Sequence, residues 1–545
     1  MIARRWTVTV VASATVLGTV AGLTALAAFA PSTTSVQADT LTETSPTPEP
    51  TPTETTESPA PEPARIENVV FILADDLDWE LFRQIPRLAS LQDQGMTFTN
   101  HTVVDSLCCP SRVTILRAQY IHNHRVISNL AETGGGWAKF RQRKEQLNNL
   151  PTWLSETGVR TGLFGKYLNG YPDQDDLTYV PPGWDEWAVP TSRGDSYTGY
   201  NYTLNVNGEL VRYGKRTSDF LNDVITRKAT AFIRESREPF FVMLSTYSPH
   251  KPSPVAFRNR ETHGSTGAPR TPTYNAFGVN EPPWLQEFTL RGPEKVAGDD
   301  RIWRRRAQSA ESVADSVGAV LYELQRTGKA ETTLLVISAD NGYHLGHFRL
   351  PKGKRTPYAF DTVVPLIMIG PGITPGTRIS AMTSTIDLAP TFTEIFGRVA
   401  PPWVDGRSLK YFIDTGQAPV PWRTGVLSES LGESGPGDPD YQRGNPPRFD
   451  ALRTEKWLYV EYADGSRTLY DREADPYEMV NLMPVADPAL VAQLAAQTQA
   501  LSVCAGATCR VADMMTVEGA TPVLPSPSPS ESPSVTPSPE PTPTN

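Results

Sequence analysis

Asn68-Val69-Val70-Phe71-Ile72-Leu73-Ala74, followed at once by Asp75-Asp76, is an unbroken β-prone apolar run that ends on two carboxylates. From Val69 to Ala74 it shows no polar alternation, the pattern of a strand covered on both faces within a parallel sheet. The same signature recurs three times, at 158–165 in its weakest form and more strongly at 239–247 and 332–339. Helix-like stretches lie between these runs. In 302–327, Ala307, Ala310, Val313, Ala314, Val317, Val320, Leu321 and Leu324 recur at helical spacing, and Gly328 closes the run. Alternation of strand and helix predicts an α/β fold, a mostly parallel sheet with flanking helices. Beyond about residue 423 the pattern becomes short strands around a tight turn. Leu458 to Tyr462, Asp464-Gly465 and Thr468 to Tyr470 read as a β-hairpin, so a smaller C-terminal antiparallel β subdomain is expected.

Working outward, the 545 residues divide by composition. Residues 1–30 read as an export signal: Arg4 and Arg5 precede an uncharged apolar stretch, and Ala28-Phe29-Ala30 offers a cleavage site. Its apolar stretch is also long enough for an uncleaved anchor, at ~20 helical residues per span. Either way the body is placed outside the cytoplasm, secreted or at the cell surface. Residues 31–64 and 521–545 hold 17 of the 50 prolines amid Thr, Ser and Glu. Such tracts bury too little apolar surface to offset the entropy of ordering, so they read as solvated linkers or as spacers to the cell envelope. The divisions expected are a catalytic α/β domain over 65–422 and the C-terminal subdomain over 423–520. Net charge is −10 overall and about −4 for the body, which argues against nucleic acid as a partner and requires a local basic pocket for any anionic ligand. Cys504 and Cys509, close together in an exported chain, are expected to form a local disulfide.

Each of the four strand-like runs is followed by a residue type that chemistry uses: Asp75-Asp76, Lys166, His250 and Asp340-Asn341. Ligands of open α/β sheets bind at the carboxyl ends of the strands, so four such ends predict one shared site. Asp75, Asp76, Asp340 and Asn341 are hard oxygen donors without a Cys/His cluster at metal spacing, which suits Ca²⁺, with Mg²⁺ the lesser alternative, rather than zinc. Without a cation the three carboxylates would repel one another.

Leu107-Cys108-Cys109-Pro110-Ser111-Arg112 opens another helix-like run, and here the sequence resembles the formylglycine-dependent sulfatases, whose signature is Cys-x-Pro-Ser-Arg. Residues 70–76 are similar to the family's first metal strand, and Gly165-Lys166-Tyr167 to its lysine motif. Ser248-Pro249-His250 is similar to the histidine motif, Asp340-Asn341-Gly342 to the second metal strand, and 471–482 to the C-terminal hairpin motif. Within the family, Cys108 to Arg112 together with Gly165 to Asn169 and Asp340 to His344 most resembles the N-acetylglucosamine-6-sulfatases, which suggests a sulfated sugar, glycan or other small sulfate ester as substrate. The resemblance implies an alkaline-phosphatase-like fold and a calcium site formed by Asp75, Asp76, Asp340, Asn341 and residue 108. It also implies a partner, the formylglycine-generating enzyme that oxidises Cys108 to an aldehyde.

Hydrated to a gem-diol, that aldehyde would attack sulfur with one hydroxyl, while deprotonation of the second expels sulfate. Arg112 and Lys166 would hold the diol, and His250 and Lys354 would bind sulfate oxygens or protonate the leaving alkoxide. Lys352 competes with Lys354 for this position. Many sulfatases carry a histidine two or three residues after the motif lysine, where this chain has Leu168 and Asn169, so Asn169 inherits any such contact. His344 is a further candidate for sulfate contact or acid. Substrate-selecting loops are expected in 178–213 and 258–300. Competing readings are an arylsulfatase of broad specificity, a phosphomonoester or phosphonate hydrolase of the same superfamily, and an inactive surface protein that grips sulfated glycans.

Overall fold

A run such as Val69 to Ala74 is stable as a strand only if both of its faces are covered, and here both are. In the computed structural model, which describes residues 65–191, 195–237, 239–432 and 445–517, this run is strand β1 (Asn68–Asp75) at the centre of a ten-stranded sheet. Val70, Ile72 and Ala74 face helices α2 (Leu221–Glu235) and α3 (Pro293–Arg326). Val69, Phe71 and Leu73 face α1 (Cys108–Arg117) and α4 (Leu388–Ile395) on the opposite side. All six side chains are fully buried, and each large one contributes about 1.5–3 kcal/mol by leaving water.

The other strands of this sheet are β2 (Met96–Phe98), β3 (Arg160–Gly165), β4 (Glu186–Pro190), β5 (Thr203–Val206), β6 (Glu209–Arg212), β7 (Phe240–Pro249), β8 (Thr333–Ala339), β9 (Leu366–Ile369) and β10 (Arg378–Ile379). Their spatial order is β10-β2-β9-β8-β1-β7-β3-β4-β5-β6. The core from β8 through β4 is parallel; β9 runs antiparallel to β8, and β5 and β6 extend the far edge as an antiparallel ribbon. Register levels the carboxyl ends: Ala74 lies opposite Ala339, and both Leu73 and Gly165 lie opposite Ser245. The loops leaving β1, β3, β7 and β8 therefore emerge on one edge.

A separate four-stranded antiparallel sheet lies beyond, β11 (Gly425–Ser430), β12 (Phe449–Thr454), β13 (Trp457–Tyr462) and β14 (Arg467–Asp471), in that spatial order. Helix α5 (Pro488–Ser502) covers it, and the Cys504–Cys509 disulfide closes the loop after that helix. The helix expected over 302–327 begins earlier, at Pro293, because Pro293 and Glu294 form a favourable first turn. Its opening turns are polar and so carry no apolar periodicity. The expected export signal and both Pro-rich tracts fall outside the described residues. Among the described residues, no helix is long and apolar enough to cross a membrane.

Candidate active site

The loop after β1 brings Asp75 and Asp76 onto the common edge. Asp76 sits at φ +63°, in the left-handed region that few non-glycine residues occupy, and two polar contacts hold it there. Its N–H donates to Asp340 Oδ1 at 3.1 Å, and its carbonyl accepts from Arg306 Nη2 at 2.8 Å. The loop after β8 is held as closely: a Cβ on Gly342 would lie 2.1 Å from the Phe360 carbonyl oxygen, so only glycine lets Asn341 take its place.

Helix α1 starts at Cys108 without a side-chain cap from its own flank. Asn129, twenty residues away, supplies one, its Oδ1 accepting the Cys109 N–H at 2.9 Å. Cys108 itself is fully buried. Its Sγ is 2.7 Å from Lys354 Nζ and donates to Asp75 Oδ1 at 3.6 Å. Lys354 Nζ also reaches Asp76 Oδ1 at 2.6 Å, and Lys166 Nζ reaches Asp75 Oδ2 at 2.5 Å. Arg112 bridges Asp340 Oδ2 (Nε, 2.7 Å), Ser245 Oγ (2.7 Å) and the Lys166 carbonyl (3.1 Å). Three buried carboxylates thus face three buried cations.

Burial works to raise the Asp76 pKa, but Lys354, His250 and Arg306 outweigh it and hold the carboxyl well below its usual range. Burial drives the Cys108 thiol far upward despite Lys166 and Lys354. As a cysteine, residue 108 is held in the thiol form, a poor nucleophile.

His250 Nδ1 lies 2.6 Å from the Lys251 carbonyl, a partner that can only accept, so Nδ1 carries the proton and Nε2 points to Asp76 Oδ2 at 3.7 Å. Ligand atoms of Asp75, Asp76, Cys108 and His250 lie within 4.8 Å of one another. Asn341 Oδ1 is buried without a partner, while its Nδ2 donates to Asp76 Oδ1 at 2.7 Å. An oxygen-rich donor set with an orphaned amide oxygen fits a hard divalent cation. Asp340 lies in the same cluster, its Oδ1 accepting the Asp76 N–H and its Oδ2 accepting from Arg112.

Of the residues singled out from sequence, Asp75, Asp76, Cys108, Arg112, Lys166, His250, Asp340, Asn341 and Lys354 come together. Lys352 is exposed, which leaves Lys354 as the lysine at Cys108. His344 Nδ1 pairs with Asp361 Oδ2 at 2.9 Å, and its backbone bridges Gly353 next to Lys354. Asn169 lines a cavity of about 430 Å³ that opens above Lys166 and His250, and its Oδ1 is buried without a partner. Asn129, Trp137, Tyr197 and Tyr247 form much of the remaining wall. Tyr197 lies against His250 at a ring separation of 4.7 Å and against Tyr247 at 5.0 Å. Of the two loops expected to select substrate, 178–213 contributes Pro190 and Tyr197 to this cavity, while 258–300 contributes none of its lining residues; 129–138 and 168–173 supply most of the others. No local signal marked Asn129, Ser245, Arg306 or Asp361, since their partners are distant in sequence.

The chain is similar to known proteins over most of its length. Residues 67–398 match the family model described as Sulfatase, and 352–503 match that described as N-sulphoglucosamine sulphohydrolase, C-terminal. The chain is 35% identical over 482 residues to the N-acetylglucosamine-6-sulfatase of Capra hircus, covering 82% of this chain and 85% of that one. A structure solved in complex with its substrate, D-glucosamine-2-N,6-O-disulfate, superposes with a TM-score of 0.65 at 21% identity, covering 76% of this chain and 93% of the other. The phosphonate monoester hydrolase of Silicibacter pomeroyi follows the same fold with a TM-score of 0.59 at 25% identity, covering 83% and 96%.

Proposed function

The chain belongs to the sulfatase family, and from that premise we propose that it releases inorganic sulfate from a sulfated sugar, one resembling N-acetylglucosamine 6-sulfate, with formylglycine at position 108 and a bound Ca²⁺. The observation that carries this reading is the meeting of Cys108, Lys354, Lys166, Arg112 and the Asp75/Asp76/Asp340 carboxylates in one buried cluster, from which Lys166 reaches the wall of the cavity that His250 and Asn169 also line. A hydrated aldehyde at position 108 offers two hydroxyls on one carbon, one to attack sulfur and one whose deprotonation releases the resulting ester without a further water. Asp75, Asp76, Asp340, Asn341 and residue 108 would hold the cation, with Asp340 also fixing the Asp76 amide and Arg112. When bound, Ca²⁺ supplies positive charge that favours the deprotonated form of an adjacent oxygen and draws in the sulfate.

The protein's own groups do the remaining work. Lys354, within hydrogen-bonding distance of atom Sγ of residue 108, holds the oxygen that replaces that sulfur. Lys166 and Arg112 fix Asp75 and Asp340 and add charge beneath the sulfate. His250, its Nδ1–H tied to a carbonyl, is oriented to present Nε2 toward the reacting group; protonated there, it would deliver a proton to the departing alkoxide as the S–O bond breaks. Asn129, Asn169 and Tyr197 line the path of the leaving group, and amides beside aromatic rings suit a sugar's hydroxyls and apolar face. Export through residues 1–30, and association with the cell envelope through the terminal tracts, belong to the same reading.

Peptide mass over residues 88–112 tests it directly. Protein from the native host should show residue 108 with one sulfur and two hydrogens lost and one oxygen gained, and converted protein should release sulfate from N-acetylglucosamine 6-sulfate. An unmodified thiol in that protein would overturn the mechanism. Rates on matched sulfate and phosphonate esters decide the competing reading that the shared fold with the phosphonate hydrolase raises.

A further inference from the structure

The two loops that would hold the cation are joined by a residue of neither. Arg306, on α3, is 1% exposed, and its guanidinium makes three contacts at once. Nη2 donates to the Asp76 carbonyl at 2.8 Å and to Asp78 Oδ2 at 2.7 Å, and the guanidinium carbon lies 3.7 Å from the centroid of the Tyr343 ring. Asp78 is itself fixed, since its Oδ1 accepts the Leu81 N–H at 2.8 Å as the N-cap of the short helix Trp79–Gln84. Asp76 and Asp78 belong to the loop after β1. Tyr343 closes the loop after β8, two residues beyond Asn341. One planar cation thus spans both loops from behind, at the point where Asp76 holds its left-handed backbone.

We infer that Arg306 is the positioning residue of the cation site: it clamps the Asp75-Asp76 and Asp340-Asn341 loops against each other and holds Asp76 in its strained conformation, so that the oxygens converge on one ion. This rests on the cation reading given above. The arrangement uses properties that lysine lacks, namely donors in a fixed plane and a flat face that stacks on an aromatic ring. Partners behind metal ligands typically change affinity by roughly 10–100-fold when removed.

The test is Ca²⁺ titration calorimetry on the EDTA-treated full-length protein, wild type against Arg306→Lys and against the double variant Arg306→Met/Asp78→Asn. The first variant keeps Asp78 paired with a cation, and the second removes both charges together, so neither leaves an unpaired buried charge to unfold the chain. Melting in EDTA confirms that each is folded. Both variants are expected to bind Ca²⁺ roughly 10–100-fold more weakly than wild type, and excess Ca²⁺ should restore the turnover of Arg306→Lys, a rescue that a merely structural defect would not give. Wild-type affinity, within twofold, in either folded variant would overturn the inference. Failure of the wild type itself to bind Ca²⁺ or Mg²⁺ would instead refute the cation reading, and the inference with it.

Discussion

His250 and Lys354 both lie beside Asp76, yet their surroundings give them different work. Lys354 Nζ is occupied by Asp76 Oδ1 and atom Sγ of residue 108, on the side of the proposed nucleophile. His250 lines the cavity through which the leaving group of the proposed reaction would depart, with Nδ1 committed to the Lys251 carbonyl. A general acid matters most where the leaving oxygen is most basic. His250→Ala should therefore lose about 10²–10⁴ in kcat/KM on sugar sulfates and far less on activated aryl sulfates. Lys354→Ala should lose similar factors on both. Kinetics across a series of leaving groups separates the two: parallel losses for His250→Ala would remove it from the acid role, and a fall in Ca²⁺ affinity in that variant would make it a ligand instead. Asn169 has an unpartnered Oδ1 at the cavity wall, so Asn169→Ala should raise KM with little change in kcat, as measured by initial rates on N-acetylglucosamine 6-sulfate.

At the scale of elements, the helix that begins at Cys108 is capped from outside. Leu107 offers no side-chain acceptor to α1, and Asn129 Oδ1 receives the Cys109 N–H in its place. Asn129→Ala should cost about 0.5–2 kcal/mol in denaturant unfolding, the range for a lost helix cap, whereas Asn129→Asp keeps the acceptor and should cost less. The small sheet shows the opposite case, a built-in repulsion. Asp450 on β12 lies directly across from Glu429 on β11 and Glu461 on β13, a row of three acids. His122 relieves Glu429, its Nδ1 3.0 Å from both carboxylate oxygens. Burial, with Glu429 and Glu461 adding to it, pushes the Asp450 carboxyl up to about 6 from an ordinary 3.8. Between those values the folded chain binds more protons than the unfolded one. The carboxyl is therefore neutral and without cost below about pH 4, and the fold loses stability as pH rises through 6 and Asp450 ionises. Asp450→Asn should raise the melting temperature at pH 7.5 and leave it nearly unchanged at pH 4; an equal shift at both values would refute the titration.

Across the whole molecule, the sequence was legible where a residue's role comes from its place along the chain, and silent where the role comes from folding. Val69 to Ala74 announced a strand buried on both faces because each of its residues had to be apolar, and the residues just past β1, β3, β7 and β8 share an edge because parallel strands with level ends leave no other arrangement. Arg306 meets Asp76 across 230 positions and Arg112 meets Ser245 across 133, so no spacing rule could pair them. His344 was legible as a functional type but not in its pairing with Asp361, which depends on how the 344–361 segment doubles back. The same closure gives the last prediction. The β1 and β8 loops lie on adjacent central strands and carry Asp75, Asp76 and Asn341, so an ion held between them ties the middle of the sheet together and binds the folded chain in preference to the unfolded one. Mass action then stabilises the fold by about 2.7 kcal/mol when free Ca²⁺ is about 100 times its dissociation constant. EDTA should lower the melting temperature and abolish sulfate release, and Ca²⁺ should restore both with a common midpoint. Asp76→Asn should melt at one temperature with or without the ion. A melting temperature in the wild type that ignores Ca²⁺ and Mg²⁺ alike, in protein that still turns over in EDTA, would show that Lys166, Lys354 and Arg112 alone balance the three carboxylates.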